Sequence, residues 1–220
     1  MRRFLSLIVN LLVSFFAFAV TARMLYRFND YGLPVKLLRE NLEYLKYFTV
    51  LSNLLAGLAA TAYSLALMLR LCRVTRRVPL WVTRFKHISA TLMAVTFLVV
   101  IVYIGPKTRF RTAYAGANLF FHMILPVLAV ADFALLDREA QLPLRACFAS
   151  LLPIAAYGGA YLGNLIVNGW GGRSHPNDWY GFADGGPAGA YITFAAMLAG
   201  GLLVSAALLT AHGARPATHE

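Results

Sequence analysis

The chain has 220 residues, of which 60% are hydrophobic and only 13% are charged. Soluble domains carry about 25% charged residues, so this composition excludes a soluble domain and indicates a membrane protein. The formal net charge of +11 suits an anionic membrane surface, because the sequence contains no nucleic-acid-binding motif.

Long apolar stretches recur along the whole chain, and about 20 such residues in a row suffice to span a bilayer. Six are recognised, at about residues 4–22, 44–70, 86–104, 118–136, 146–167 and 188–210. Each is predicted to be helical, because a lipid-exposed backbone must satisfy its own hydrogen bonds. The sequence therefore predicts an all-α protein, a polytopic bundle of six transmembrane helices forming a single integral membrane domain over residues 1–220.

The first stretch, "MRRFLSLIVNLLVSFFAFAVTAR", shares its basic start and small residues with secretory signals. Its apolar part is roughly 19 residues long, whereas the apolar region of a signal peptide has 7–15. We therefore expect an uncleaved membrane anchor.

The Lys and Arg residues indicate the orientation. With six helices both termini lie on one side, which carries eleven of the 20 Lys and Arg residues against nine on the other. Six of the eleven lie in one short stretch, "RLCRVTRRVPLWVTRFK", where the positive-inside rule counts most. We expect a cell-membrane protein with both termini in the cytoplasm, where Cys72 and Cys147 stay free thiols. The basic stretch also suits anionic lipid headgroups.

Polar residues gather near the start of two helices that run in the same direction. Thr49, Ser52 and Asn53 are spaced i, i+3, i+4 in the second helix and share a face. Asn118 and His122 are one turn apart at the start of the fourth helix. Thr49 and His122 are therefore expected at similar depth, at the end of the bundle opposite the termini.

The fifth helix and the loop that follows it bring further polar groups to the same end. Asn164 and Asn168 are again spaced i, i+4, and the loop contains His175, Asp178 and Tyr180. Asp132 does not join them, because it lies about 15 Å along the helix from His122 and some 80° around it. We expect Asp132 to pair with Arg138 or with a residue of the basic stretch.

These residues fit more than one kind of site. A threonine hydroxyl becomes a nucleophile when a base such as histidine removes its proton, and Asn53, Asn118 or Asn168 would orient the ring or bind an oxyanion. Asp178 or His175 would complete such a triad, and no cofactor or metal is needed. A zinc site of His122, His175 and Asp178 would require the loop to fold back into the bundle. Alternatively, all these residues are packed helix-interface groups in a lipid-binding, scaffold or small transport protein.

Proline interrupts the fourth helix one turn after the histidine. Pro126 has no backbone N–H, so the carbonyl near residue 122 is left free and the helix can open locally. Such a break is typical of a helix that lines a cavity, in an enzyme or in a transporter.

Three short motifs, "YFTVLSN", "NLFFHMILP" and "WYGF", resemble those of the androgen-induced and androgen-dependent TFPI-regulating family of six-spanning membrane proteins and their bacterial relatives. The resemblance implies a threonine hydrolase of fatty acid esters, with Thr49 as nucleophile, His122 as its partner and a membrane lipid ester as substrate. Gly181 follows the Trp-Tyr pair where the resemblance leads us to expect proline, and no second histidine adjoins Asn118.

Overall fold

A computed structural model of the protein describes residues 1–29, 31–170 and 177–213. Within them lie six helices long and apolar enough to cross a bilayer. They are α1 (Arg2–Leu25), α2 (Phe48–Leu71), α3 (Leu80–Thr108), α4 (Ala117–Leu136), α5 (Leu144–Asn168) and α6 (Gly186–Gly213). The all-α fold class is confirmed, and the helices are those of a multi-pass membrane protein.

Five of the six helices begin and end within about four residues of the predicted bounds. The third was predicted to begin at residue 86, which is wrong, because α3 begins at Leu80 directly after Pro79. Its first turns contain two cations, Arg84 and Lys86. Arg84 lies on the exposed face, and buried Lys86 forms ion pairs with Asp132 and Asp137.

The segment between α1 and α2 has structure of its own, to which the sequence analysis assigned none. Strands β1 (Tyr26–Phe28) and β2 (Pro34–Leu37) pair antiparallel. A 3-10 helix, Arg39–Lys46, then leads into α2. Between α3 and α4 the chain forms a single helical turn, Phe110–Ala113.

Helix α3 is the centre of the bundle. Half of the residues in its most apolar segment are buried, and it packs against α2, α4, α5 and α6. Its buried face is rich in small side chains such as Ser89, Ala90 and Thr91, which let neighbouring helices approach closely. The contact between α1 and α2 is equally close, because a Cβ on Gly57 would lie 3.0 Å from the Cβ of Ala17.

The bundle has two distinct ends. The end at which α1 begins and α6 ends is called the terminal end, and the opposite end, where α2 and α4 begin, is called the site end. At the terminal end, Arg3 forms an ion pair with Glu139 at 2.9 Å, and His212 Nδ1 lies 3.1 Å from the carbonyl oxygen of Phe133. At the site end, the loop before α6 is held to α3 by an ion pair between Lys107 and Asp184 at 2.6 Å. The polar groups singled out in the sequence are distributed between these ends.

Candidate functional site

A cavity of about 310 Å³ opens at the site end of the bundle. It is bounded by α1, the 3-10 helix, α2, α3, α4 and the loop before α6. Thr49, Asn118, His122 and Tyr180 are among its lining residues, so four of the residues selected from the sequence meet there. This space is called the site cavity below.

Thr49 is the second residue of α2 and is only 8% exposed. At the N-terminus of a helix the helix dipole is positive. The Thr49 hydroxyl and the Tyr180 hydroxyl lie near each other in the site cavity. An oxygen placed here is therefore in a region that favours developing negative charge.

His122 lies on a π-helical turn, Phe120–Ile124, in which the Leu125 N–H bonds to the Phe120 carbonyl. The wider turn precedes Pro126, which cannot donate to the carbonyl of residue 122. Such π turns often occur at functional sites. The local opening that Pro126 predicts is present, and it presents His122 to the site cavity.

The His122 ring is oriented by a backbone carbonyl. Its Nδ1 lies 2.6 Å from the carbonyl oxygen of Ala113. Because a carbonyl only accepts hydrogen bonds, Nδ1 carries the proton, and Nε2 of the neutral ring keeps its lone pair. This is the tautomer that a general base requires.

Sequence reasoning assigned the orienting role to asparagines and missed Ala113. A backbone carbonyl leaves no signature of residue type, so only the path of the chain reveals it. That path turns sharply on both sides of the short helix, at Arg109 with φ +68° and at Gly116 with φ +56°. The glycine before "ANLFFH" was the one available signal of a turn.

The remaining residues predicted near Thr49 support the helices instead of lining the cavity. Ser52 exchanges a hydrogen bond with Thr96 at 2.9 Å. Asn53 donates to the Thr49 carbonyl at 2.8 Å and to the Phe121 carbonyl at 3.1 Å. Asn53 therefore fixes the start of α2 against the turn that carries His122, which makes it a positioning residue.

Asn168 and Asp178 shape the other side of the site end and are not among the cavity's lining residues. Asn168 donates to Asn164 at 2.9 Å at the end of α5. Asp178 is buried and accepts from the backbone N–H groups of Phe182 and Ala183, both at 2.9 Å, and from the Tyr161 hydroxyl. Asp178 thus holds the loop in its conformation.

Tyr180 extends from this loop into the cavity. Its hydroxyl accepts the Phe48 N–H at 2.9 Å, so it binds the first residue of α2. Burial raises the pKa of the Tyr180 phenol well above its usual range, and the nearby Tyr157 adds to the effect. The phenol stays neutral at physiological pH, so it can donate a hydrogen bond but cannot act as a base.

Two polar residues of the cavity that were not selected from the sequence hold the loop before α6. Tyr103 and Lys107 of α3 line the cavity, and both bind the carbonyl of Gly181, at 2.6 and 3.2 Å. In the sequence, Lys107 was counted only among the Lys and Arg residues that indicate the orientation in the membrane. The spacing i, i+4 of "YIGPK" places both side chains on one face and was the signal that could have found them.

The metal-site alternative gains no support in the described part of the chain. There, no group of three His, Cys, Asp or Glu side chains is placed to hold a metal ion. His175 lies outside the described residues. Asp178 already accepts from two N–H groups and a tyrosine hydroxyl.

Asp132 lies away from the site cavity, as expected. Its carboxylate contacts Lys86 Nζ at 2.5 Å and accepts from Asn10 Nδ2 at 2.7 Å. Lys86 belongs to the basic stretch "RLCRVTRRVPLWVTRFK", so the expected pairing with that stretch is confirmed.

Comparisons of the chain with protein-family models, with curated proteins and with solved structures yield no match.

Proposed function

We propose that the protein is an integral membrane hydrolase of fatty acid esters, with Thr49 as nucleophile and His122 as general base. The observation that carries the proposal is the site cavity, which Thr49 and His122 both line, with the Ala113 carbonyl leaving His122 Nε2 free to accept a proton. The motifs "YFTVLSN", "NLFFHMILP" and "WYGF" add their resemblance to the androgen-induced family of threonine hydrolases.

The reaction follows from these roles. The Thr49 hydroxyl attacks the ester carbonyl carbon while His122 Nε2 takes its proton. The tetrahedral oxyanion is stabilised by the positive end of the α2 dipole and by the neutral Tyr180 hydroxyl. His122 returns the proton to the departing alcohol, which leaves an acyl-threonine. A water molecule, deprotonated by His122, then attacks this ester and releases the fatty acid and the free threonine.

The substrate class follows from where the cavity lies. Its opening is at one end of six apolar helices, the level at which a lipid presents its ester bonds while its chains remain in the bilayer. We place the protein in the cell membrane with both termini in the cytoplasm, so that the site end faces the opposite side.

The experiment that tests the proposal is covalent labelling of the detergent-purified protein with a fluorophosphonate probe. Wild type is compared with Thr49→Val, which preserves the shape of the side chain, and with His122→Gln. Ser52→Ala is the matched control, because it removes a neighbouring hydroxyl on the same helix face that bonds to Thr96. We expect labelling of wild type and Ser52→Ala and its loss in the other two.

Hydrolysis of a long-chain ester by the same four proteins completes the test. Loss of labelling and turnover in Thr49→Val, with an unchanged thermal unfolding midpoint, supports the nucleophile. Labelling that persists in Thr49→Val but disappears in Ser52→Ala would move the nucleophile to Ser52. Ester binding without turnover in wild type would favour the alternative, a non-catalytic lipid-binding protein.

A further inference from the structure

A second cavity, of about 350 Å³, lies between α3 and α6 on the side of the bundle. We call it the α3–α6 groove; Val102, Ile192, Ala196 and Gly200 are among its lining residues. Val102 is 73% exposed and Ile192 is 69% exposed, although both lie within membrane-spanning helices. The groove therefore faces the acyl chains of the bilayer.

The lining of the groove offers no free polar group in the described part of the chain. Its two hydroxyl groups are already bonded, Thr193 to the Gly189 carbonyl at 2.9 Å and Tyr103 to the Gly181 carbonyl at 2.6 Å. The other lining residues are apolar or glycine. An occupant needs no polar atoms, which suits an alkyl chain.

The groove leads toward Thr49. A small space of about 10 Å³ separates the groove from the site cavity and is lined by residues of both. Val99, Phe182 and Met197 also line the groove, whereas Thr49, Ile104 and Tyr180 also line the site cavity. At this width a chain passes only when a side chain changes rotamer, and the unbranched Met197 adapts readily.

We propose that the α3–α6 groove holds one unbranched acyl chain of the ester substrate. The chain enters sideways from the membrane and passes Val99, Phe182 and Met197, so that its ester carbonyl reaches Thr49. This inference rests on the proposed function and adds the route and the orientation of the substrate. Because the bilayer is as apolar as the groove, the groove contributes by positioning the ester, and its effect is expected in kcat/KM.

Filling the groove tests the proposal. A Cβ on Gly200 would have no atom within 4 Å, so Gly200→Leu projects into open space without a backbone clash. Gly201 is unsuitable, since its Cβ would lie 2.6 Å from Ile154. Gly159→Leu on α5 is the matched control, because it is equally free of contacts and lies outside the groove. Ala196→Leu is the second variant, should Gly200→Leu fold poorly.

The readout is hydrolysis of p-nitrophenyl palmitate and p-nitrophenyl butyrate in detergent micelles. In Gly200→Leu and Ala196→Leu, kcat/KM for the palmitate is expected to fall about tenfold or more, and that for the butyrate to change less than about twofold. Gly159→Leu is expected to match wild type with both esters. Unchanged palmitate turnover in the two folded groove variants would overturn the proposal.

A binding measurement tests whether the groove holds an acyl chain independently of whether the protein hydrolyses esters. Wild type, Thr49→Val, Gly200→Leu and Gly159→Leu are irradiated with palmitic acid that carries a diazirine on its chain, and the cross-linked peptides are mapped. Cross-links on α3 and α6 that disappear only in Gly200→Leu support the groove even if no protein hydrolyses esters. Equal cross-linking in Gly200→Leu and Gly159→Leu overturns it, whatever Thr49→Val does to turnover.

Discussion

Tyr180 joins the loop before α6 to the first turn of α2. Its hydroxyl accepts the Phe48 N–H and lies beside the Thr49 hydroxyl. Tyr180→Phe leaves that N–H without its acceptor, which is expected to lower the free energy of unfolding by about 1–3 kcal/mol. Ester turnover is expected to fall about a hundredfold or more through loss of an oxyanion donor. Both are measured in detergent, by thermal unfolding and by the palmitate assay.

The pH profile of ester turnover shows whether Tyr180 acts as a neutral hydrogen-bond donor or as an ionising group. Because its pKa is raised well above 10, the phenol does not ionise in the usual assay range. Wild type and Tyr180→Phe should therefore share the same alkaline limb. Tyr191→Phe, an exposed tyrosine of α6, is the control and should match wild type. An alkaline loss of activity found only in wild type would contradict this assignment.

Lys86 explains why α4 tolerates a carboxylate within the membrane. Its Nζ lies 2.5 Å from Asp132, 3.3 Å from Asp137 and 3.3 Å from the ring centroid of Tyr63. Lys86→Met removes this cation from two buried carboxylates and is expected to reduce stability by about 3–5 kcal/mol.

The unfolding midpoint in detergent measures the Lys86 prediction. Arg84→Met is the control, because Arg84 lies two residues before Lys86 but on the exposed face of α3. It should change stability by no more than about 0.5 kcal/mol. Adding Asp132→Asn to Lys86→Met should restore part of the loss, because the two residues are in direct contact. Equal midpoints for Lys86→Met and Arg84→Met would contradict a structural role for the ion pairs.

At the scale of the element, α4 depends on its proline. Pro126→Ala supplies an N–H that can bond to the carbonyl of residue 122, which favours regular α-helix over the π turn at Phe120–Ile124. His122 then rotates within the site cavity. We expect ester turnover to fall at least about tenfold while the unfolding midpoint stays equal or rises. Pro153→Ala, inside α5, is the control and should leave turnover unchanged.

The loop before α6 accounts for a residue that differs from the expected motif. Gly181 has φ +69°, a conformation that proline cannot adopt because its ring fixes φ near −65°. A Cβ at this position would also lie 2.6 Å from Lys107 Nζ. Glycine at the site of the expected proline is thus the residue that lets Lys107 bind both Asp184 and the Gly181 carbonyl.

Hydrophobic runs predicted the six helices because each must cross the bilayer. The common end of Thr49 and His122 was predicted from their positions near the start of two helices that run in the same direction. The start of α3 was missed because the charge of Arg84 ended the predicted apolar run at residue 86. The ion pair of Lys86 was not predicted residue by residue, because its partner Asp132 is distant in sequence. The orienting group of His122 was missed because it is a backbone carbonyl. The type of a side chain predicts its burial and its chemistry. Which groups contact each other across helices can be seen only in the folded chain.

At the scale of the whole molecule, the two ends differ in how their charges are used. At the terminal end, acidic side chains pair with cations, Glu139 with Arg3 and Arg70, and Asp132 with Lys86. At the site end, Lys107 and Asp184 hold the loop against α3 beside a cavity that contains the polar groups. The orientation in the membrane therefore decides which compartment the site cavity opens to.

Cys72 makes that orientation measurable. It is an exposed free thiol just after α2 at the terminal end, whereas Cys147 is buried. With both termini in the cytoplasm, a membrane-impermeant maleimide should label Cys72 in inverted membrane vesicles and not in right-side-out ones. Thr112→Cys in a Cys72→Ser background places the thiol at an exposed position near the site end and should show the reverse pattern. If Cys72 is labelled in right-side-out vesicles, the site cavity opens to the cytoplasm, and ester substrates would be drawn from the cytoplasmic leaflet.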